Sequence, residues 1–194
     1  MTNEERIQLT KSNLIEATIK LMKQLDNPIE VTSREIAREA NCKPAMINYC
    51  FGSREELIYS VFQRIYKGYQ QSPEFLAILH EELTPKELLK KTYYYGAKAL
   101  TENYKFARAI GGFVLLKRDL TEESFSYKYV YAHYKGTKTE DECKFIAYYL
   151  SAMMQLVVYR MEDIKENFGM DLSKDDELRR LINLRVDLLL GDVK

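Results

Sequence analysis

The chain has 194 residues, of which 46% are hydrophobic and 30% are charged, and its 29 basic and 29 acidic side chains give no net charge. That length allows one large domain or two small ones with a buried core, and the composition excludes a disordered chain. The charge balance excludes a uniformly basic nucleic-acid coat protein but allows a local basic patch. With only 8 glycines and 4 prolines, the chain has few turn formers, and we predict an all-α fold with long helices.

Three cysteines and two distant histidines provide neither an even set for disulfides nor the ligand spacing of a zinc site. We therefore expect no metal and no cofactor. The N-terminal segment lacks the apolar stretch of a signal peptide, and no segment approaches the roughly 18 apolar residues of a membrane span. Three free thiols suit a reducing compartment, so the sequence predicts a soluble, cytoplasmic protein.

The first predicted helix is amphipathic. Ile7, Leu14, Ala17 and Leu21 recur at helical spacing and share one face. The helix is predicted to end at Asp26-Asn27-Pro28, because the residue before a proline is disfavoured in the helical region.

Two short helices are predicted next. Thr32 and Glu35 have the spacing of a capping box, which opens the first helix. Asn41, a residue that tolerates left-handed backbone, ends it. Pro44 is predicted as the first residue of the second helix, and Gly52 ends that helix.

Longer helices are predicted for the rest of the chain, and the change in helix length near residue 53 predicts two domains, 1–53 and 54–194. Ser, Thr and Pro residues at the expected helix starts define most of these helices. The predictions are a helix from the Ser53–Glu56 capping box to about residue 70, one from Thr84 to about 102, one from 104 to about 117, a tyrosine-rich segment at 122–135, a helix capped by Thr139 or Thr137 to about 167, and one capped by Ser173 to about 190.

The two short helices, in residues 32–54, have the dimensions of a helix-turn-helix, whose second helix enters the DNA major groove. Apolar side chains, such as Ile36 and Ile47, occupy positions where the two helices must touch. The segment contains four basic and two acidic residues in a neutral chain. The predicted DNA-binding residues are Thr32, Ser33, Lys43, Pro44, Ala45, Asn48, Tyr49 and Arg54.

Each of these residue types suits a contact with DNA. Small Ala45 lets the helix approach the groove, and Asn48 can bond base edges or phosphates. The Tyr49 hydroxyl can bond a phosphate, or its ring can pack on a sugar or a thymine methyl group. Thr32, Ser33 and Arg54 lie at helix N-termini, where backbone amides attract phosphate oxygens. The alternative is a capped helical hairpin that has no DNA partner.

This segment resembles the DNA-binding domain of the TetR family of bacterial transcriptional regulators. The resemblance depends on TSREIAREA at residues 32–40 and NYCFGSREEL at 48–57, and it covers about residues 10–60. Cys50 departs from the His or Tyr that is usual there in the family, so a contact at that position is in doubt. The resemblance implies a ligand-responsive regulator, a repressor that binds a palindromic operator as a dimer and is released by a small molecule.

The resemblance also implies a helical effector-binding domain and a homodimer formed by the last two helices. The long helix from about residue 139 is apolar on more than one face, which favours a second partner beside the core of its own chain. The predicted interface residues are Ile146, Leu150, Val157, Met161, Leu178, Leu181 and Leu188.

Aromatic residues are abundant after residue 90, and two interpretations of them stay open. One is a tyrosine-rich core and interface. The other is a pocket for an aromatic, lipophilic or cationic small molecule, since ring faces attract cations and hydroxyl groups orient polar ligands. The predicted lining residues are Phe106, Ile110, Phe113, Tyr127, Tyr131, Tyr149 and Met153.

Two other classes of function compete with the regulator. The sequence has no glycine-rich phosphate loop, nucleophile elbow or HExxH motif, so we do not expect an enzyme. An α-helical enzyme without a recognisable catalytic motif and a protein-interaction scaffold remain alternatives. Activation instead of repression also stays open.

Overall fold

The computed structural model describes residues 2–25, 27–117 and 124–191. These residues form eleven α-helices and one 3-10 turn, Pro28–Glu30, and contain no β-strand, so the predicted all-α class is confirmed. None of the described helices combines the length and the apolar character that a membrane crossing requires. The helices are α1 (Asn3–Gln24), α2 (Ser33–Glu39), α3 (Ala45–Phe51), α4 (Arg54–Gln70), α5 (Pro73–Leu79), α6 (Pro85–Glu102), α7 (Tyr104–Lys117), α8 (Tyr127–Tyr134), α9 (Glu140–Tyr159), α10 (Met161–Phe168) and α11 (Asp175–Leu189).

The described residues form two compact units. The first contains the chain up to Ile65 together with Lys105–Leu116, and the second contains Tyr66–Tyr104 and the described residues from Lys117 onward. Helices α4 and α7 therefore contribute residues to both units, and the first unit extends past residue 53.

The core of the first unit is built around α1. This helix packs against α2, α3 and the 3-10 turn, and α2 packs against α3. Leu14, Ile36, Ile47 and Leu57 are completely buried there. These four apolar side chains come from α1, α2, α3 and α4. Their burial in one small core therefore holds the short helices α2 and α3 against α1 and α4.

The capping box predicted at Thr32 is present, and Thr84 and Thr139, predicted only as helix starts, form capping boxes as well. At Ser53, where the other box was predicted, the hydroxyl accepts from the Glu56 amide at 3.0 Å. In α2 the Thr32 hydroxyl oxygen accepts a hydrogen bond from the Glu35 amide at 3.2 Å, and the Glu35 carboxylate accepts one from the Thr32 amide at 2.8 Å. The same reciprocal pair opens α6 and α9. These bonds satisfy amides at the start of each helix that have no partner within the helix. Thr139, and not Thr137, is the cap of α9.

Other helix boundaries differ from the predictions. Helices α5 and α8 were not predicted, and the single helix expected up to residue 167 is two helices, because Arg160, at φ −105° and ψ 20°, separates α9 from α10. Lys174, and not Ser173, precedes α11, since the Ser173 hydroxyl donates to Asp171 at 2.6 Å. The first helix was predicted to end at Asp26-Asn27-Pro28, and Asp26 lies outside the described residues. Residues 122–123 of the tyrosine-rich segment lie outside them as well.

Helix α6 is central in the second unit, where it packs against α5, α8, α9 and α11. Gly96 of α6 is a point of close approach, because a Cβ atom there would lie 2.5 Å from the Tyr66 hydroxyl oxygen. Gly111 and Gly112 lie within α7, which is a continuous helix there, and Gly111 is buried.

Candidate nucleic-acid interface and ligand cleft

Helix α3 has a buried face and an exposed face. Ile47 and Cys50 point into the core of the first unit. Ala45, Asn48 and Tyr49, at positions i, i+3 and i+4, lie on the other face and are exposed. The Tyr49 side chain is 65% exposed, so an aromatic ring that could stabilise the core is directed to solvent instead.

The backbone at both ends of α3 is tightly specified. Asn41 has a left-handed backbone with φ 52°, and the following Cys42 amide donates to the Ala37 carbonyl at 2.9 Å. At the other end Gly52 has φ 85°, which favours glycine, and its amide donates to the Asn48 carbonyl at 2.9 Å. These bonds set where α3 begins and ends relative to α2.

The loop before α3 presents two of the predicted residues to solvent. Lys43 and Pro44 are exposed, and Pro44 has helical backbone angles of φ −53° and ψ −33° while serving as the cap residue ahead of Ala45. The exposed surface formed by Lys43, Pro44, Ala45, Asn48 and Tyr49 is called the α3 outer face below.

Thr32 is committed to the capping box of α2. Its hydroxyl donates to the Glu35 carboxylate at 2.7 Å and accepts from the Glu35 amide. Hydrogen bonds from the Thr32 side chain and backbone lower the pKa of the Glu35 carboxyl below its ordinary value of 4.5. Ser33 follows at the first helical position and is half-buried. These two residues therefore define the start of α2, beside the α2–α3 turn.

Arg54 binds groups of its own chain. Its Nε atom donates to the Val31 carbonyl at 2.6 Å, its Nη1 atom lies 3.0 Å from the Glu55 carboxylate, and its side chain is only 25% exposed. Val31 directly precedes the α2 cap, so the guanidinium group fastens the start of α4 to the start of α2. Arg54 thus has a positioning role in the folded chain, and the phosphate contact suggested by the sequence stays a prediction.

All three cysteines are free thiols. Burial raises the pKa of Cys42 and Cys50, and Cys50 is directed into the core and away from the α3 outer face. A raised pKa disfavours the reactive thiolate, which argues against a thiol sensor at either position. Cys50 therefore belongs to the core of the first unit and not to the α3 outer face.

The seven residues predicted to line a pocket are divided between the two units. Phe106 and Ile110 are buried in the core of the first unit, where Phe113 packs with its ring 5.7 Å from that of Tyr59. The other four, Tyr127, Tyr131, Tyr149 and Met153, belong to α8 and α9 of the second unit.

A cleft of about 470 Å³ lies in the second unit and is lined by none of those seven residues. Tyr94 and Tyr95 of α6, Tyr69 of α4 and Ile78 of α5 supply its apolar and aromatic surface. The rings of Tyr69 and Tyr95 meet edge to face at 6.4 Å. Three tyrosines beside one another give the cleft flat walls with hydroxyl groups at their edges.

Charged side chains complete the wall of this cleft. Three are cationic, Lys91, Lys98 and Arg179, and three are anionic, Glu81, Glu102 and Asp175. Sequence reasoning missed the cleft, because its residues come from four helices and span positions 69–179. Their only local pattern is the stripe of Lys91, Tyr94, Tyr95, Lys98 and Glu102 along one side of α6, which is equally typical of a solvated surface.

The predicted interface residues fall into three groups. Leu150, Met161 and Leu178 are buried by their own chain, Ile146, Val157 and Leu181 are half-buried, and Leu188 is 73% exposed. Three of the seven side chains therefore belong to the core of the second unit, because Leu150, Met161 and Leu178 lie on the inner sides of α9, α10 and α11.

The outer face of α9 is apolar and exposed. It carries Phe145, which is 67% exposed, with Tyr148, Tyr149, Leu156 and Tyr159 along the same side. Leu184 and Leu188 form an exposed apolar strip on α11. The Arg185 guanidinium fixes α11 against α9, since it donates to the Leu150 carbonyl at 2.6 Å. The exposed apolar side chains of these two helices are called the α9–α11 face below.

No protein-family model matches the chain, and no curated protein matches it.

Proposed function

We propose that this chain is a ligand-responsive transcriptional regulator, a repressor that binds a palindromic operator as a homodimer. The observation that carries the proposal is the α3 outer face. Tyr49 and Asn48 are exposed on a short helix whose opposite side is completely buried at Ile47. Such a helix, held rigidly and bearing polar and aromatic groups outward, suits insertion into the major groove.

The surroundings of α3 favour an anionic partner. Lys43 lies directly before the helix, and Arg34 and Arg38 are exposed on α2. Glu39 is paired with Lys20, and Glu35 is occupied by the capping box. Phosphate contacts from the basic side chains would position the unit, while Asn48 and Tyr49 would contact base edges.

The homodimer is supported by the α9–α11 face. Apolar side chains on two neighbouring helices are exposed in the isolated subunit, and a second copy would bury them in a four-helix interface. In such a dimer the two α3 helices would enter successive major grooves about 34–36 Å apart. A small molecule that binds better to a dimer with a different spacing would release the operator.

The test is selection of bound sites from random duplex DNA, with the wild type and with Tyr49→Ala in parallel. We expect the wild type to enrich a palindrome and Tyr49→Ala to lose that enrichment, because the variant removes the most exposed side chain of the α3 outer face. Leu76→Ala is the matched control, since Leu76 is an exposed apolar residue on α5, and it should select the same palindrome as the wild type.

The salt dependence of DNA affinity distinguishes the regulator from the scaffold and enzyme alternatives. Affinity for the selected site should fall steeply as salt is added, because phosphate contacts release counterions. If the wild type enriches no site, the proposed DNA-binding function is contradicted. If Tyr49→Ala enriches the palindrome as strongly as the wild type does, the role assigned to Tyr49 is contradicted.

A further inference from the structure

Arg179, on α11, is the cationic group of the second-unit cleft that forms no ion pair among the described residues, whereas Lys91 and Lys98 are each paired with a carboxylate. Its guanidinium carbon lies 3.6 Å from the centroid of the Tyr94 ring, and Tyr94 is buried. A cation this close to a fixed ring is held by cation–π attraction. Among the described residues its N–H groups form no hydrogen bond, although the Asp175 carboxylate, one turn earlier on α11, attracts it electrostatically. The stacked guanidinium is therefore oriented and can still donate two parallel hydrogen bonds.

The three carboxylates of the cleft already have partners. Glu81 is paired with Lys91, and Asp175 lies 3.2 Å from the Lys98 ammonium. Tyr94 and Lys98 lower the pKa of the Asp175 carboxyl. The charge of each of these two lysines is thus balanced by an acidic side chain.

Glu102 is the third carboxylate, and it accepts a hydrogen bond from the Tyr69 hydroxyl at 3.0 Å. The carboxylates therefore take their direct partners from Lys91, Lys98 and the Tyr69 hydroxyl, and the Arg179 N–H groups are the donors that form no direct contact with a cleft carboxylate.

The rest of the wall suits a flat apolar group. Tyr69 and Tyr95 present rings, and Ile78 adds an aliphatic surface. A volume of about 470 Å³ falls within the range typical of small-molecule sites, roughly 300–1,000 Å³. Aromatic ligands pack against such rings in tilted or offset arrangements.

We propose that this cleft binds a small organic carboxylate with a planar apolar body, anchored by Arg179. The ligand carboxylate accepts two hydrogen bonds from the guanidinium, and its apolar body lies against Tyr69, Tyr95 and Ile78. The idea that this ligand regulates DNA binding rests on the proposed function. Arg179 is on the same helix as Leu184 and Leu188 of the α9–α11 face, so a ligand that shifts α11 would act on the dimer interface.

The test measures binding without DNA, so its result is independent of the operator. Isothermal titration of the whole chain uses benzoate, 3-phenylpropanoate, 2-naphthylacetate and indole-3-acetate, each beside its primary amide. We expect at least one carboxylate to bind saturably and at least tenfold more tightly than its amide. Arg179→Gln should abolish that preference, and Arg179→Lys should keep part of it, because lysine retains the charge and loses the two-pronged geometry.

Arg180→Gln is the control variant, since Arg180 is the exposed neighbour of Arg179 and does not line the cleft. It should bind all probes as the wild type does. Saturable binding by none of the carboxylates, equal binding of acid and amide, or an unchanged preference in Arg179→Gln would overturn the proposal. If a carboxylate binds as expected and no palindrome is selected, the cleft assignment stands and the regulator assignment fails.

Discussion

The Arg54 side chain joins the start of α4 to the segment that precedes α2. Its Nε atom donates to the carbonyl of Val31, a residue that is almost completely buried. A hydrogen bond between a charged donor and a buried carbonyl contributes more than a neutral surface pair, since the carbonyl has little access to water as a substitute partner. Arg54 thus acts on the α3 outer face through the position of α2.

Replacing Arg54 by methionine tests this positioning role. We expect Arg54→Met to lower the free energy of unfolding by about 1.5–3 kcal/mol, the range for hydrogen bonds to charged groups. Arg54→Lys should lose a similar amount, because lysine keeps the charge but has no Nε–H donor at that point. Urea unfolding followed by circular dichroism gives both values. The control is Arg34→Met, on the exposed side of α2, which should unfold as the wild type does. An Arg54→Lys variant as stable as the wild type would contradict the positioning role of the Nε–H donor.

At the scale of single elements, α2 depends strongly on its cap because it has only seven residues. Thr32→Ala removes the hydroxyl that accepts from the Glu35 amide, and loss of such a cap typically costs about 1 kcal/mol. The same substitution at Thr10, which lies inside α1 and donates to the Arg6 carbonyl, should cost less, since no helix start is affected. Thermal unfolding of the two variants at neutral pH compares them directly.

The capping contribution should also depend on pH. The pKa of Glu35 is lower in the folded chain than its ordinary value of 4.5, so the unfolded chain takes up a proton first as the pH falls. The stabilisation is therefore complete above pH 4.5 and is lost as the pH falls through the lowered pKa. We expect the difference between wild type and Thr32→Ala to narrow in that acidic range. A difference that stays constant down to acidic pH would show that the Glu35 carboxylate does not contribute.

The elements that the sequence predicted well are the helices that begin at a specific capping side chain. Thr32, Thr84 and Thr139 form hydrogen bonds with residues three positions away, so the relevant contact is contained in the local sequence. Arg160 separates α9 from α10 without a glycine, a proline or a side-chain cap, and such a break depends on packing between distant helices. Helix α5 did have a local start, Ser72-Pro73, with the Ser72 hydroxyl accepting from the Phe75 amide.

The α3 outer face and the second-unit cleft also differ in whether local sequence determines them. The α3 outer face follows from helical spacing within seven residues, so the predicted DNA-binding residues Ala45, Asn48 and Tyr49 could be found from the sequence, and all three are exposed. The cleft requires α4, α5, α6 and α11 to come together, and Arg179 gains its orientation only from Tyr94, which is 85 positions earlier. Side-chain spacing within one helix contains no information about that pairing.

At the scale of the whole molecule, the homodimer has to be tested by exposed residues of the α9–α11 face. Removing the chain from residue 172 onward would also remove Leu178, Ile182 and Val186, which are buried in the second unit. Such a truncation would expose the core of the subunit, and a monomeric product would then report unfolding as readily as a lost interface. Exposed apolar residues avoid this problem, because replacing them leaves the core intact.

Leu184→Glu tests the interface in the intact chain. Leu184 is 53% exposed on α11, so glutamate is tolerated in the free subunit, but in a dimer it would place two unpaired charges within an apolar contact. We expect the wild type to sediment as a dimer and Leu184→Glu as a folded monomer, with at least a hundredfold weaker association by analytical ultracentrifugation. Leu76→Glu, on exposed α5, should remain dimeric. If Leu184→Glu also remains dimeric, the subunits associate through a different surface, and the groove spacing expected for the two α3 helices would have to be derived from that surface instead.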